Sequence, residues 1–204
     1  MTATFNNNAH SPTGAYKIKD TKSYGSVHAV PVRARHVFQR VACEGFQAVQ
    51  KRKLEHLKAT VLKEVVNRKE SGVLFYCPSY FDFVALRNTL MKMEIKHVAV
   101  TEYARWSEVQ RGRSRFFHGE VPVMLYTGRM WFFHKTRIRG CKRIHFFSPP
   151  FYTEEYAEIA GWIEEGGAAA TTFTKYEGGE MERAVGVKSW RHIRESEKAT
   201  FVFE

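Results

Sequence analysis

From Arg35 to Lys69 the apolar residues Val37, Phe38, Val41, Phe46, Val49, Leu54, Leu57, Val61, Leu62, Val65 and Val66 recur every three to five positions, with charges between them. That spacing lays an apolar stripe along one side of a helix and predicts an amphipathic helix or helix pair, broken at Gly45 and closed at Ser71-Gly72. Downstream the rhythm changes. Val73 to Cys77 (VLFYC) is a continuous apolar run of strand length, and after Pro78-Ser79 the stretch Phe81 to Met93 places Phe83, Leu86, Leu90 and Met93 at helical spacing. Strand, turn and helix follow from that order.

The alternation continues to the end of the chain. His97 to Thr101 reads as a second strand, Ala104 to His118 as a basic helix, Val121 to Tyr126 as a third strand, and Gly128 to Arg139 as a helix or ordered loop. Arg143 to Phe147 is a fourth strand, stopped by Pro149-Pro150. A helix capped at Thr153 runs to Glu164, with acidic residues at its positive end and Gly166-Gly167 as its stop. Ala169 to Tyr176 is β-rich, Glu180 to Arg194 is a helix interrupted near Gly186, and Ala199 to Phe203 is a last strand. Strands alternating with helices imply βαβ units, hence an α/β fold with a mainly parallel sheet and helices on both faces. The loops Pro78 to Phe81, Thr101 to Tyr103, Thr127 to Arg129 and Ser148 to Phe151 then share the rim beyond the strands' carboxyl ends, where such sheets bind ligands.

Residues 1 to 30 hold few branched apolar side chains and many turn-forming ones, so they read as an extended or partner-bound arm. Three parts result: an arm (1–30), a basic amphipathic helical segment (31–70) and an α/β lobe (71–204). With 204 residues, one core is expected.

The formal net charge is +11, and it is uneven. Residues 31–70 carry 10 basic and 4 acidic side chains (+6), residues 104–150 carry 10 and 2 (+8), and residues 151–204 carry 6 and 11 (−5). A polyanionic partner is the first expectation for the +8 block, which is interleaved with aromatics. No apolar run approaches the length that spans a bilayer, and the first residues lack the charged and apolar regions of a secretory signal, so no membrane partner is expected. Cys43, Cys77 and Cys141 form no CxxC pair and suit a reducing compartment, cytosol or nucleus.

Catalytic patterns are missing. Neither GxxxxGK[ST] nor GxGxxG occurs, and the turn after the first β-run, Cys77-Pro78-Ser79-Tyr80, has no glycine to bring backbone amides to a phosphate. No HExxH, GxSxG or paired-carboxylate arrangement is present. His134, Cys141 and His145 match no zinc spacing. The expectation is no catalytic residue, no metal, no cofactor and no small-molecule substrate.

RHVFQR (Arg35 to Arg40), VLFYCPSYFDFVALRNTL (Val73 to Leu90), TEYA (Thr101 to Ala104), the long block from Ser114 to Ile159 and TKYEGGEMERAVGVKSW (Thr174 to Trp190) resemble, in order, the C-terminal part of the digestive organ expansion factor family, also called the U3 small nucleolar RNA-associated protein 25 family. The resemblance implies a RecA-like sheet of the helicase second-lobe type, preceded by the amphipathic segment. It further implies a nucleolar, hence nuclear, assembly factor of the small-subunit processome that binds pre-ribosomal or small nucleolar RNA and processome proteins. An active helicase of this type would carry an HRxGRxGR arginine motif after the fourth strand; here an acidic helix, FYTEEYAEIAGWI, follows Pro150. No residue there is placed to stabilise charge on a transferring phosphoryl group, so the resemblance is to a degenerate helicase. The alternatives are one lobe of an active ATP-dependent RNA helicase, its first lobe on another chain, and a stand-alone RNA-binding module. The chain departs from the family in length and in carrying Gly128 where Glu is common.

Within that frame the candidate RNA- or partner-binding residues are Ser79, Tyr80, Arg111, Arg113, Arg115, Thr127, Arg129, Lys135, Arg137 and Arg139. Arg111 and Arg115 share a helix face from which Arg113 points away. Each has a plainer reading: solvated charge for the arginines, a capping turn for Thr127, a packing aromatic for Tyr80. Trp131, Phe132 and Phe133 are expected to fill the space between sheet and helix, and the acidic stretch Glu154 to Glu165 to oppose RNA and suit a protein partner or a basic surface of the chain itself.

Overall fold

The computed structural model describes residues 25–204. Its centre is a seven-stranded sheet of β1 (Arg35–Arg40), β2 (Val73–Cys77), β3 (His97–Val100), β4 (Val123–Thr127), β5 (Cys141–Phe146), β6 (Ile163–Phe173) and β7 (Thr200–Phe203), in the order β3-β4-β2-β5-β6-β1-β7. All strand pairs are parallel except β1 with β7. β2 and β4 are buried along their whole length, which is why they read as unbroken apolar runs. Their side chains alternate between two cores. Val73, Phe75, Val123 and Leu125 meet Leu57, Leu62, Phe83 and Leu86 on one face; Leu74, Tyr76, Met124 and Tyr126 meet Val109, Phe116, Trp131 and Tyr156 on the other.

The helices are α1 (Val49–Leu57), α2 (Lys63–Arg68), α3 (Tyr80–Lys92), α4 (Trp106–Phe117), α5 (Gly128–His134), α6 (Thr153–Ala160), α7 (Gly178–Val185) and α8 (Val187–Glu195). A π-turn, Lys58–Leu62, joins α1 to α2, and Gly186, at φ +83°, separates α7 from α8 as the sequence predicts. No described helix is long and apolar enough to cross a membrane.

Two stretches differ from expectation. Arg35–Arg40 is not the start of a helix but strand β1, parallel to β6 with Phe38 opposite Thr171. Its period is two: His36 and Phe38 are buried, and Arg40 on the same side donates to the carbonyls of Ile193 and Ser196 at the end of α8, its guanidinium 5.5 Å from the Phe201 ring. The helical segment begins only after Gly45, with a 3₁₀ turn, Phe46–Ala48, that runs into an α-helix at Val49. Likewise α6 ends at Ala160 rather than Glu164, and Gly166-Gly167 lies within β6. A side chain on Gly167 would collide with the Lys142 carbonyl of β5, so that glycine serves close strand approach, not a helix stop.

The arm expected over residues 1–30 falls largely outside the described residues. Its last part, Ser26–Ala29, is a 3₁₀ turn: Val27 is buried in the core, and Ser26 Oγ donates to the Arg183 carbonyl at 3.3 Å.

Candidate nucleic-acid interface

Six strands point the same way, so their carboxyl ends meet on one rim. Thr127 ends β4 and caps α5: its hydroxyl accepts from the Met130 amide at 3.2 Å and donates to Glu102 Oε2 at 2.9 Å. It is 1% exposed, so the group is committed inside the chain. The next residue, Gly128, is held by proximity. A Cβ there would lie 2.9 Å from the Pro78 carbonyl oxygen and 3.0 Å from the Tyr76 hydroxyl. Gly128→Ala is expected to cost about 1–3 kcal/mol by overpacking, read as a lower thermal midpoint; an unchanged midpoint would mean the Pro78 loop yields freely.

Arg129 leaves the rim half exposed. Its Nε lies 3.2 Å from Glu102 Oε1, and its guanidinium sits 5.8 Å from the Tyr103 ring and 5.7 Å from the Phe133 ring. Tyr80 stacks on Phe83 at 5.6 Å and meets Tyr103 edge-on at 5.5 Å, while Ser79 precedes α3 and its carbonyl accepts from the Phe83 amide. On the other flank Phe132 stacks on Tyr152 at 5.9 Å, and Lys135 lies 5.1 Å from the Trp131 ring. Three of the predicted rim loops, Pro78 to Phe81, Thr101 to Tyr103 and Thr127 to Arg129, come together, and Tyr152, just past the fourth, packs on Phe132. Phe132 and Phe133, expected in the core, are more than half exposed. Three consecutive aromatics on a two-turn helix are spread about 100° apart, and only Met130 and Trp131 face the sheet.

The other candidate arginines of the +8 block lie on α4 and in the loop after α5. Arg113 Nη2 donates to the Arg137 carbonyl at 2.9 Å and its Nη1 to Gln110 Oε1 at 3.2 Å. That bond ties α4 to the 135–140 loop. Arg111 and Arg115 are exposed, Arg115 3.5 Å from Glu120. In the loop, buried Ile138 anchors the chain and turns Arg137 and Arg139 outward on either side. Two segments more than twenty residues apart thus meet through Arg113, while Arg111 and Arg115 lie on the other side of α4, and the buried Thr127 and the half-buried Ser79 stand apart from both.

One group the sequence reading missed lies at the same rim. After β2 the chain turns toward β3 and after β5 toward β6, so the gap between β2 and β5 is the sheet's switch point, the usual ligand crevice of open α/β sheets. There the fully buried Lys53 of α1 donates to Ser148 Oγ at 2.7 Å and to Glu177 Oε1 at 2.5 Å, with Phe147 5.8 Å beneath. Glu177 also accepts from the amide and hydroxyl of Thr174, and Asp82 accepts from Gln50 at 2.8 Å. Burial pushes the Lys53 ammonium below its ordinary pKa against the pull of Glu177, and pushes the Asp82 carboxyl and the Cys77 thiol up. The signal was the four-residue spacing of Val49, Lys53, Leu57 and Val61, which sets the lysine in the apolar stripe.

On the acidic helix Glu155 is buried, accepting from the Tyr76 hydroxyl at 2.6 Å and the Tyr152 amide at 3.0 Å, so Tyr152 rather than Thr153 holds the cap position. Burial raises its pKa. His134 faces Trp106 at the rim while Cys141 and His145 are buried on β5, and among the described residues no group of three metal-capable side chains is gathered.

A mostly parallel sheet in this order, with helices packed on its two faces, is a RecA-like α/β lobe. Solved structures agree on the fold: the C-terminal part of the Fun30 ATPase domain superposes with a TM-score of 0.55 at 17% identity, covering 71% of this chain and 49% of that one. The Pyrococcus furiosus Hef helicase domain gives 0.50 at 16%, covering 66% and 30%. The family model described as "Utp25, C-terminal domain" matches residues 26–203, and the chain belongs to that family. Relatives include protein nucleolar factor 1 of Arabidopsis thaliana, 30% identical over 182 residues, 88% of this chain and 24% of that protein. The human U3 small nucleolar RNA-associated protein 25 homolog is 30% identical over 210 residues, 100% of this chain and 28% of that protein. The chain spans about a quarter of the length of these relatives.

Proposed function

We propose that this chain is a non-catalytic, helicase-like docking lobe of the small-subunit processome, working in the nucleolus on pre-ribosomal or small nucleolar RNA and on processome proteins. The observation that carries the reading is the rim itself, where Arg129 lies against the exposed Tyr103 and Phe133 rings and Tyr80 meets Tyr103, with further exposed arginines on α4 (Arg111, Arg115) and in the 135–140 loop (Arg137, Arg139). Aromatic rings on which bases can stack, with guanidinium groups available for phosphates, suit a single strand. The names of its relatives place them with U3 small nucleolar RNA and the nucleolus, which supports the same reading. At the switch point the chain's own Lys53 occupies the ligand crevice, and Arg129, the rim arginine, is paired with Glu102. Both favour a scaffold over a nucleotide-driven motor.

The test is anisotropy of a labelled single-stranded RNA of twenty nucleotides. Changing Arg111, Arg115, Arg137 and Arg139 together to Gln is expected to weaken binding more than about ten-fold and to flatten the salt slope by about 3, at roughly 0.7 per phosphate contact. Unchanged affinity and slope would remove the RNA role from these four arginines. RNA-stimulated ATP hydrolysis lost in Arg129→Ala would overturn the scaffold.

A further inference from the structure

At the far edge of the sheet, away from the rim, β7 pairs with β1 on one side only, and among the described residues nothing pairs with its outer edge. An antiparallel edge strand turns about half of its amides and carbonyls outward, and proteins commonly guard such edges with lysine, proline or a bulge. Thr200-Phe201-Val202-Phe203 has none of these. Beside it runs a groove of about 540 Å³ between the strand and α8. Its ionisable lining is Lys188, His192 and Lys198, with no carboxylate.

We propose that this edge takes an added strand from an acidic, extended segment of a partner protein. Main-chain bonds to β7 would supply the affinity, as in strand addition generally, and side chains on alternate faces the selectivity. Phe201 and Phe203 turn inward, Phe203 meeting Phe38 edge-on at 5.4 Å, while Thr200 and Val202 lie exposed on the opposite face. An incoming strand continues that pleat. Its carboxylates on the α8 side meet Lys188 and His192, and β-branched residues on the other side extend the Val202 surface. Charge selects among occupants. A second copy would bring the same basic lining against itself, and the chain's own residues 1–24 carry Lys17, Lys19 and Lys22 against one Asp20. Only an acidic segment complements the groove.

The probe is a labelled, acetylated octapeptide alternating Glu and Val, titrated against the full chain. Saturable binding is expected, with new hydrogen-exchange protection at the outward amides of β7. Lys188→Glu with Lys198→Glu is expected to weaken it more than about ten-fold, as is N-methylation of the peptide's alternate amides, each ten-fold step being 1.4 kcal/mol. The proposal is overturned if a Lys-Val octapeptide binds as well, if N-methylation changes nothing, or if no saturation appears up to about 1 mM. It is equally overturned if those amides are already protected in the free chain or if the free chain dimerises through β7.

Discussion

Lys53→Ala is expected to destabilise the chain by about 3–5 kcal/mol, the usual cost of removing one partner of a buried ion pair, measured as a shift in urea midpoint at constant slope. The alanine would leave Ser148 Oγ without its donor and Glu177 Oε1 facing an emptied space beside the Phe147 ring. Lys53→Met keeps the length of the side chain and fills that space. Glu177 retains its two bonds from Thr174 and is partly exposed, so the methionine variant is expected to lose much less. Equal losses for the two variants would show that the charge, not the volume, holds α1 on the rim. A loss below about 1 kcal/mol for both, the level of a surface pair, would show that the buried pair contributes nothing.

The same lysine marks where sequence reasoning stops. β2, β4 and α3 were legible because strands buried on both faces leave short unbroken apolar runs between turn residues, and a helix with one apolar face leaves a 3–4-residue period. β1 was not. In RHVFQR the inward residues are His36, Phe38 and Arg40, and a histidine or arginine counts as apolar only once Tyr156, Phe173 and Phe201 are known to lie beside it. Seen without them, Val37 and Phe38 join the downstream stripe and extend a helix too far. Lys53 is the converse, a charge placed on a stripe where hydropathy reads only an interruption.

For the candidate site, the sequence identified the rim loops and the basic block but not how charges are spent within them. Glu102 sits twenty-five residues before Thr127 and twenty-seven before Arg129, yet its carboxylate engages both. Such pairing belongs to the sheet order, since β3 and β4 are neighbours. The same dependence on topology brings the 135–140 loop onto α4. Local spacing already divided Arg113 from its helix neighbours; the fold adds that Arg113 turns to the Arg137 carbonyl, so the arginine that joins the two segments faces away from Arg111 and Arg115.

Acid is expected to unfold the chain through two buried histidines. Burial holds His36 down to about 4, with nearby His28 adding to the effect, and holds His145 down to about 3, with His56, Arg143 and Lys53 adding to it. His36 still has the Tyr156 hydroxyl at 3.0 Å, whereas among the described residues neither ring nitrogen of His145 has a partner. In the unfolded chain both titrate near 6.5. Below that value the unfolded state binds up to two protons that the native state refuses, so stability is full above about pH 6.5 and falls as pH drops toward 4. The limiting slope is about 2.7 kcal/mol per pH unit for two groups. The raised carboxyls of Asp82 and Glu155 work the other way, taking up protons in the native state, and moderate the fall. The two groups together remove roughly 6 kcal/mol by pH 4, which brings the midpoint of acid unfolding to about pH 4 for a chain at the lower end of the typical range of about 5–15 kcal/mol. His145→Leu replaces an unpartnered imidazole by an apolar side chain of similar size beside Phe75. It is expected to hold or raise stability at pH 7 and to remove about half of the acid slope, read from urea midpoints between pH 7 and 4.5. A flat profile in the unmodified chain over that range would mean the two imidazoles are protonated in the fold.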